Sequence, residues 1–147
     1  YPNCALYYRA RLYFSRNTTI WASASGAYSS FDLPVTNTAT TPLQFTIADI
    51  TQEIEWMFGG DNSLIVGTAE GIVAVNGGNV GDTITAATIE ATITSADGCN
   101  HAYPLRKDGL IFYVSNNDRN VYYFKYDLLT ESFVAQDANL VITQGQG

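Results

Sequence analysis

The sequence predicts an all-β fold built from antiparallel hairpins, and two observations carry this prediction. Thr, Ile and Val supply 36 of the 147 residues, and 13% of the residues are aromatic. β-Branched and aromatic side chains favour pleated strands over helices. Polar and apolar residues also alternate, most regularly at 88–94 (TIEATIT), which is typical of a strand with one buried face.

Three hairpins with a shared pattern are predicted at 11–23, 63–77 and 109–127. Each has an apolar first strand, a short polar turn and a return strand. Leu12, Leu64 and Leu110 open the three first strands, at intervals of 52 and 46 residues. Further strands are predicted between the hairpins, at 44–47, 53–58 and 88–95.

The strand predicted at 53–58 (EIEWMF) places charged and apolar residues on different faces. Alternation puts Ile54 and Trp56 on a core face, and Glu53 and Glu55 together on the opposite face. We therefore interpret the two glutamates as part of a solvent face rather than as a catalytic pair of carboxylates.

A repeat of about 40–50 residues made of antiparallel strands is typical of β-propeller blades. The prediction is a single β-propeller segment over 1–147, with about three blade-like repeats at 5–50, 51–97 and 98–142. Closed propellers need about 4–8 blades. Three repeats would leave two sheet faces uncovered, so we expect a longer chain or another chain to complete the ring. An ordinary β-sandwich is the alternative fold.

Charge and hydropathy argue against two classes of partner. The formal net charge is −7, whereas a nucleic-acid-binding surface needs a basic face. No purely apolar run is longer than that at 110–114, which is far shorter than the roughly 20 residues that span a bilayer. Specific nucleic-acid binding and a membrane partner are therefore not expected.

No catalytic, cofactor-binding or metal-binding residue is predicted. Cys4 and Cys99 lie 95 positions apart and are interpreted as unpaired thiols. His101 is the single histidine, so neither a nucleophile triad nor a zinc site has enough ligands. Arg9 and Arg11 are the only clustered arginines, too few for a sialidase-type carboxylate site. The acidic segment 61–63 is better explained as a hairpin entry than as a calcium loop.

Several short strings occur in an order that resembles one known family. Residues 11–14 (RLYF) are followed by 19–31 (TIWASASGAYSSF), then 54–56 (IEW) and 64–71 (LIVGTAEG). Gly98-Cys99, Pro104, 110–114 (LIFYV), Tyr126-Asp127 and 133–140 (FVAQDANL) continue the same order. Together they resemble the tail tubular, or nozzle, proteins of short-tailed (podovirus-like) bacteriophages, over about 11–142.

The resemblance implies a structural virion protein in the phage tail. In that family six copies form a ring or tube, and the expected partners are tail adaptor and portal-proximal proteins and tail fibres. Genome DNA passes through the lumen without specific binding, so the tube serves genome retention and ejection. A chain with a charge of −7 fits this role, because acidic walls repel phosphate.

The alternative function is a carbohydrate-binding or host-recognition propeller module. Sugars stack on flat aromatic faces, and coplanar exposed aromatic rings in one groove would support this reading. We favour packing roles for Trp21 and Trp56, and a subunit contact for Tyr7 and Tyr8. The aromatic residues considered for sugar stacking are Trp21, Tyr28, Trp56, Tyr122, Tyr123 and Tyr126.

Overall fold

The structure is a computed structural model that describes residues 1–36, 38–79, 82–117, 119–127 and 132–137, the backbone alone at 124–127 and 132–137. Every regular element in these residues is a β-strand, which confirms the all-β prediction. None of the described residues forms a helix long and apolar enough to cross a membrane.

The described residues form twelve strands in three four-stranded antiparallel sheets, and within each sheet the spatial order of the strands follows the chain. Sheet 1 contains β1 (Cys4–Tyr8), β2 (Arg11–Arg16), β3 (Thr19–Ala22) and β4 (Leu43–Thr46). Sheet 2 contains β5 (Ile54–Gly59), β6 (Leu64–Thr68), β7 (Ile72–Asn76) and β8 (Glu90–Ser95). Sheet 3 contains β9 (Leu105–Lys107), β10 (Leu110–Val114), β11 (Val121–Asp127) and β12 (Ser132–Asp137).

The three predicted hairpins are confirmed as the central strand pairs of the sheets: β2–β3, β6–β7 and β10–β11. The strands predicted between them correspond to β4, β5 and β8. Alternation did not reveal β9, because all three of its residues are exposed and two of them are charged. It also did not reveal β1, which holds its place by pairing with β2.

Sheet 2 lies between the other two sheets, and its central strands are buried on both faces. All residues of β6 and β7 are buried, which explains their nearly continuous apolar sequences. Leu64, Val66 and Val73 belong to the core shared with sheet 1. Ile65 and Ile72 belong to the core shared with sheet 3. β1 lies beside β5, and β8 lies beside β12, so the sheets are stacked in chain order.

A β-bulge corrects the prediction for β5. The pairing with β6 shifts register between Ile54 and Trp56, so two residues of β5 are opposite one residue of β6. As a result Ile54 faces sheet 1 together with Met57, whereas Trp56 faces sheet 3. Simple alternation had placed Ile54 and Trp56 on one face, which is wrong because the bulge inserts an extra residue between them.

Each sheet has a back face, toward the preceding sheet, and a front face, toward the following sheet. On the second strand of each sheet, Phe14, Val66 and Tyr113 share the back-face position, as the pairings with Trp21, Val73 and Tyr122 show. Leu64 and Leu110 open β6 and β10 as predicted, whereas β2 begins at Arg11, one residue before Leu12. Leu64 lies on a back face and Leu110, next to the back-face Ile111, on a front face.

Candidate assembly surfaces

Two outer faces of the stack have no sheet packed against them among the residues that the structure describes. They are the back face of sheet 1 and the front face of sheet 3. The back face of sheet 1 carries Ala5, Tyr7, Leu12, Phe14, Arg16, Thr19, Trp21, Gln44 and Thr46. The front face of sheet 3 carries, among the residues with described side chains, Leu105, Lys107, Leu110, Phe112, Val114, Val121 and Tyr123.

An apolar row crosses the back face of sheet 1. Ala5 pairs with Phe14, and Phe14 pairs with Trp21, so the three side chains are neighbours on adjacent strands. The loop between β3 and β4 covers part of this face, with the ring of Phe31 centred 5.4 Å from that of Phe14. Beside the row is a shallow depression of about 160 Å³, lined in part by Phe14, Trp21 and Tyr1.

Arg11 fixes the covering loop to sheet 1. Its side chain is only 3% exposed, and its guanidinium donates to the carbonyl oxygens of Ser23 (2.6 Å), Thr41 (2.7 Å) and Ala39 (2.6 Å). The planar fork of an arginine suits several acceptors at once. Because these bonds use the guanidinium for backbone carbonyls, Arg11 is a structural residue rather than a ligand for a substrate carboxylate.

Arg9 also has a structural role. It lies over the ring of Tyr8, with Cζ 5.2 Å from the ring centroid, and it donates to the backbone carbonyl of Asp61 at 2.8 Å. Arg9 thereby ties the β1–β2 turn to the β5–β6 turn. The two clustered arginines of the sequence thus point to different partners.

The front face of sheet 3 carries a second apolar row. Leu105 pairs with Phe112, which pairs with Tyr123, and the last two rings are centred 5.8 Å apart. Leu105 is 66% exposed. The equivalent residues, Leu6 on sheet 1 and Phe58 on sheet 2, pack against the two cores. The row on sheet 3 thus has the same position as two rows that are covered within the molecule.

Neither outer face carries a carboxylate among the strand residues whose side chains are described. Each carries one basic residue, Arg16 on sheet 1 and Lys107 on sheet 3. The described strand side chains of the two faces thus contribute none of the 14 acidic groups of the chain. Such faces can be buried without leaving an unpaired carboxylate in a dry interface.

The aromatic residues of the sequence analysis are divided between core and outer faces. Trp56 is 1% exposed and packs between sheets 2 and 3, which confirms the packing interpretation for this residue. Tyr122 packs against the same core, and Tyr8 packs against the core of sheets 1 and 2. Trp21 is half-buried on an outer face. The side chain of Tyr126 lies outside the described part of the chain.

Two exposed aromatic residues meet at right angles. Tyr7 is 67% exposed and Tyr28 45% exposed, and their rings are centred 5.1 Å apart at an interplanar angle of 85°. A sugar stacks on a flat platform, whereas this pair presents one ring edge to the other ring face. The pair therefore does not provide the coplanar surface that glycan binding predicts.

Glu53, just before β5, and Glu55 within it do not share a solvent face. Glu53 is exposed and accepts a hydrogen bond from Nδ2 of Asn3 at 3.0 Å. The carboxylate of Glu55 contacts Nδ1 of His101, and its side chain is only 14% exposed. The solvent-face prediction is thus wrong for Glu55, because the bulge turns it toward the loop after β8. The pair joins sheet 2 to that loop.

The thiols lie in different cores. Cys4 packs at the core of sheets 1 and 2, with Sγ 2.7 Å from Oγ of Ser15, and Cys99 packs at the core of sheets 2 and 3. Both are free. Burial raises the pKa of both thiols, that of Cys99 to about 12, so neither forms a thiolate nucleophile at neutral pH.

Metal ligands are not brought together in the described residues, where no group of three or more His, Cys, Asp or Glu side chains could hold an ion. The acidic segment at 61–63 makes other contacts: Asp61 pairs with Arg106 at 2.5 Å, and Ser63 donates to Asn76. These contacts join sheet 3 to sheet 2 and strengthen the β6–β7 pair.

Comparison with known proteins identifies no family for this chain. No protein-family model matches the chain, and no curated protein matches it either.

Proposed function

We propose that this chain is a three-blade section of a β-propeller, completed by neighbouring sheets and serving as a structural part of a larger assembly. The observation that carries this proposal is the pair of apolar faces at the two ends of the stack, on which no described sheet packs. Trp21 and Phe14 lie on one face, and Phe112 and Leu105 on the other. Sheets stacked in chain order, each an antiparallel meander of four strands, are what propeller blades require.

The assembly we propose is the tail nozzle of a short-tailed bacteriophage. This step depends on the ordered strings at 11–31, 54–71 and 98–140 that resemble that family. In this role six copies form a tube that contacts the tail adaptor and the tail fibres. Genome DNA is retained behind the tube and later passes through it.

The acidic charge supports the conduit role in a specific way. With −7 per chain, a lumen lined by acidic side chains would repel the phosphate backbone and keep DNA from adhering. The two outer faces of the stack carry no described carboxylate, so the acidic residues are available to other surfaces of the assembly.

Electron microscopy of the purified protein tests the proposal. We expect ring-shaped or tubular particles with a central opening and radially arranged sheets. A density map of the assembly then shows which side chains line the opening. A basic lumen would contradict the conduit role, and particles without a central opening would contradict the nozzle.

Carbohydrate binding has less support. The perpendicular rings of Tyr7 and Tyr28 do not form a platform, and Trp56 is buried in the core. Binding of a glycan by a monodisperse monomer would favour this second function over the nozzle.

A further inference from the structure

Residues 76 and 77 are the one Asn-Gly pair in the sequence, and they lie inside sheet 2. Asn76 is the last residue of β7 and is only 8% exposed. Its Oδ1 accepts a hydrogen bond from the hydroxyl of Ser63, which is 1% exposed, and its backbone is paired with Glu90 of β8. The asparagine is therefore held from both neighbouring strands.

The fold requires a glycine directly after this asparagine. Gly77 is buried, and the chain that returns toward β8 passes over it. A Cβ at Gly77 would lie 1.8 Å from the carbonyl oxygen of Thr83 and 2.5 Å from its carbonyl carbon. A backbone carbonyl cannot move aside as the end of a flexible side chain can, so only glycine fits here.

The same pair is chemically unstable in a mobile chain. Asparagine is a thermolabile residue, and a following glycine leaves the next backbone nitrogen sterically unhindered. We propose that Asn76 is a deamidation site that the fold keeps unreactive and that opening of β7 makes reactive. This modification site lies within sheet 2 and is independent of the assembly proposed above.

The reaction needs only water and the chain itself. The backbone nitrogen of Gly77 attacks Cγ of Asn76 and forms a five-membered succinimide ring. The bond from Cγ to the side-chain nitrogen breaks, and that nitrogen leaves as ammonia with the proton lost by Gly77. Water then adds to one of the two ring carbonyls, and the ring opens to aspartate or isoaspartate.

The folded structure opposes the ring closure in two ways. The ring places Cβ of Asn76 and the nitrogen of Gly77 nearly eclipsed about the Cα–C bond, a rotation that an extended strand does not have. The hydrogen bond from Ser63 also holds the side-chain amide in place. Closure therefore requires β7 to leave its partner strands at this end.

The products do not fit the site that the asparagine leaves. Aspartate would put a carboxylate at a position that is 8% exposed, paired with Glu90 on the next strand. Buried charges are costly, and like charges on paired residues repel. Isoaspartate adds one carbon to the main chain and would displace Gly77 from its place beside Thr83. An opened chain that reacts is thus marked irreversibly.

Peptide mapping by mass spectrometry tests the site on the full chain. Samples in buffer and in denaturing urea are incubated at the same temperature and at about pH 8, and the mass gain of about 1 Da at residue 76 is followed with time. We expect the folded protein to react at least about 100-fold more slowly, because only the opened fraction can form the ring. Equal rates in the two samples, or no reaction in urea, would overturn the proposal.

A destabilised variant tests the dependence on opening. Gly67→Ala acts on β6 without touching Asn76 and should raise the rate in buffer by about 5-fold or more. Arg16→Ala, an exposed control, should leave the rate unchanged. Urea below the unfolding midpoint should accelerate the wild type in the same way, which keeps the test valid if Gly67→Ala does not fold. A rate insensitive to urea would refute control by opening.

The effect of the modification is measured on a variant that contains the product. Asn76→Asp should lower the urea midpoint of unfolding relative to the wild type. Asn17→Asp is the matched control, because it adds the same charge at an exposed turn residue. Equal midpoints for the two variants would show that the aspartate product is tolerated and would overturn the irreversible marking.

Discussion

Leu105 on sheet 3 and Phe58 on sheet 2 occupy equivalent positions, yet only Phe58 is packed against a neighbouring sheet. Leu105 is 66% exposed, because none of the described residues forms a sheet that packs on its face of sheet 3. The difference between the two residues therefore reports where the stack ends, rather than any difference in their local strand geometry.

Truncation of these two residues should have unequal effects within one chain. Phe58→Ala should lower the free energy of unfolding by about 2 kcal/mol, because it leaves a gap between sheets 2 and 3. Leu105→Ala should change it by less than about 0.5 kcal/mol, as surface substitutions do. Urea unfolding of the two variants measures both changes. Equal losses would contradict the assignment of Leu105 to an outer face.

Gly67 on β6 should not tolerate a side chain. A Cβ there would overlap the indole of Trp56 and lie 2.7 Å from Sγ of Cys99. Gly67→Ala should therefore destabilise the protein by at least about 1–3 kcal/mol through overpacking. Urea unfolding measures the loss, and the double variant with Trp56→Leu should recover part of it. Full stability of Gly67→Ala alone would contradict the close contact between Gly67 and the indole of Trp56.

Arg11 should be required for the order of the β3–β4 loop. Arg11→Met removes the donors to three backbone carbonyls and should cost about 3 kcal/mol, since bonds to a charged donor are strong. Arg11→Lys should recover little, because an ammonium lacks the planar fork. Proteolysis should become faster between residues 24 and 42.

The control for Arg11 is Arg16→Ala, a change at an exposed arginine on the same strand. It should alter unfolding by less than about 0.5 kcal/mol and leave the loop protected. A loop that is cleaved equally fast in the Arg11→Met and Arg16→Ala variants would refute the anchoring role.

Stability should fall at alkaline pH. Burial raises the pKa of Tyr13, Tyr113 and Cys99 to about 12, above the 10.0 and 9.0 of free tyrosine and cysteine. The folded state thus holds these protons more tightly than the unfolded state. The contribution of these groups to the free energy of unfolding is fully present only below about pH 9. It should decline progressively from there to about pH 12.

Urea unfolding between pH 8 and pH 11 measures this decline. Cys99→Ala and Tyr113→Phe remove one titrating group each, so each variant should show a shallower loss of stability with pH than the wild type. A wild-type stability that does not change over this range would contradict the burial of these groups.

Glu70 should contribute to stability at neutral pH and less in acid. Hydrogen bonds from the hydroxyl and the backbone N–H of Thr51 lower the pKa of its carboxyl group. Its stabilising effect is present above the usual pKa of 4.5 and is lost as the pH falls through the lowered value. Glu70→Gln should therefore reduce the acid sensitivity of thermal unfolding. Thr51→Val should act in the same direction, and combining the two should add little.

The local pattern of the sequence was sufficient to predict the three hairpins. Each hairpin strand is an apolar segment bounded by a turn, and strands adjacent along the chain pair with each other. Alternation was insufficient for β9, where Leu105, Arg106 and Lys107 are all exposed. An exposed short strand has no buried face, so its sequence carries no periodic signal.

By itself, the sequence determined the all-β class, the three central hairpins and the segments that supply β4, β5 and β8, because these depend on neighbours along the chain. The tertiary structure decided which face each residue occupies. The bulge in β5 separates Ile54 from Trp56, and Leu64 and Leu110, which both open their strands, lie on opposite faces. The face on which a residue lies depends on the register between strands, and a slip of one residue moves it to the opposite face. Register is set by packing between sheets, and the local alternation of polar and apolar residues carries no information about that packing.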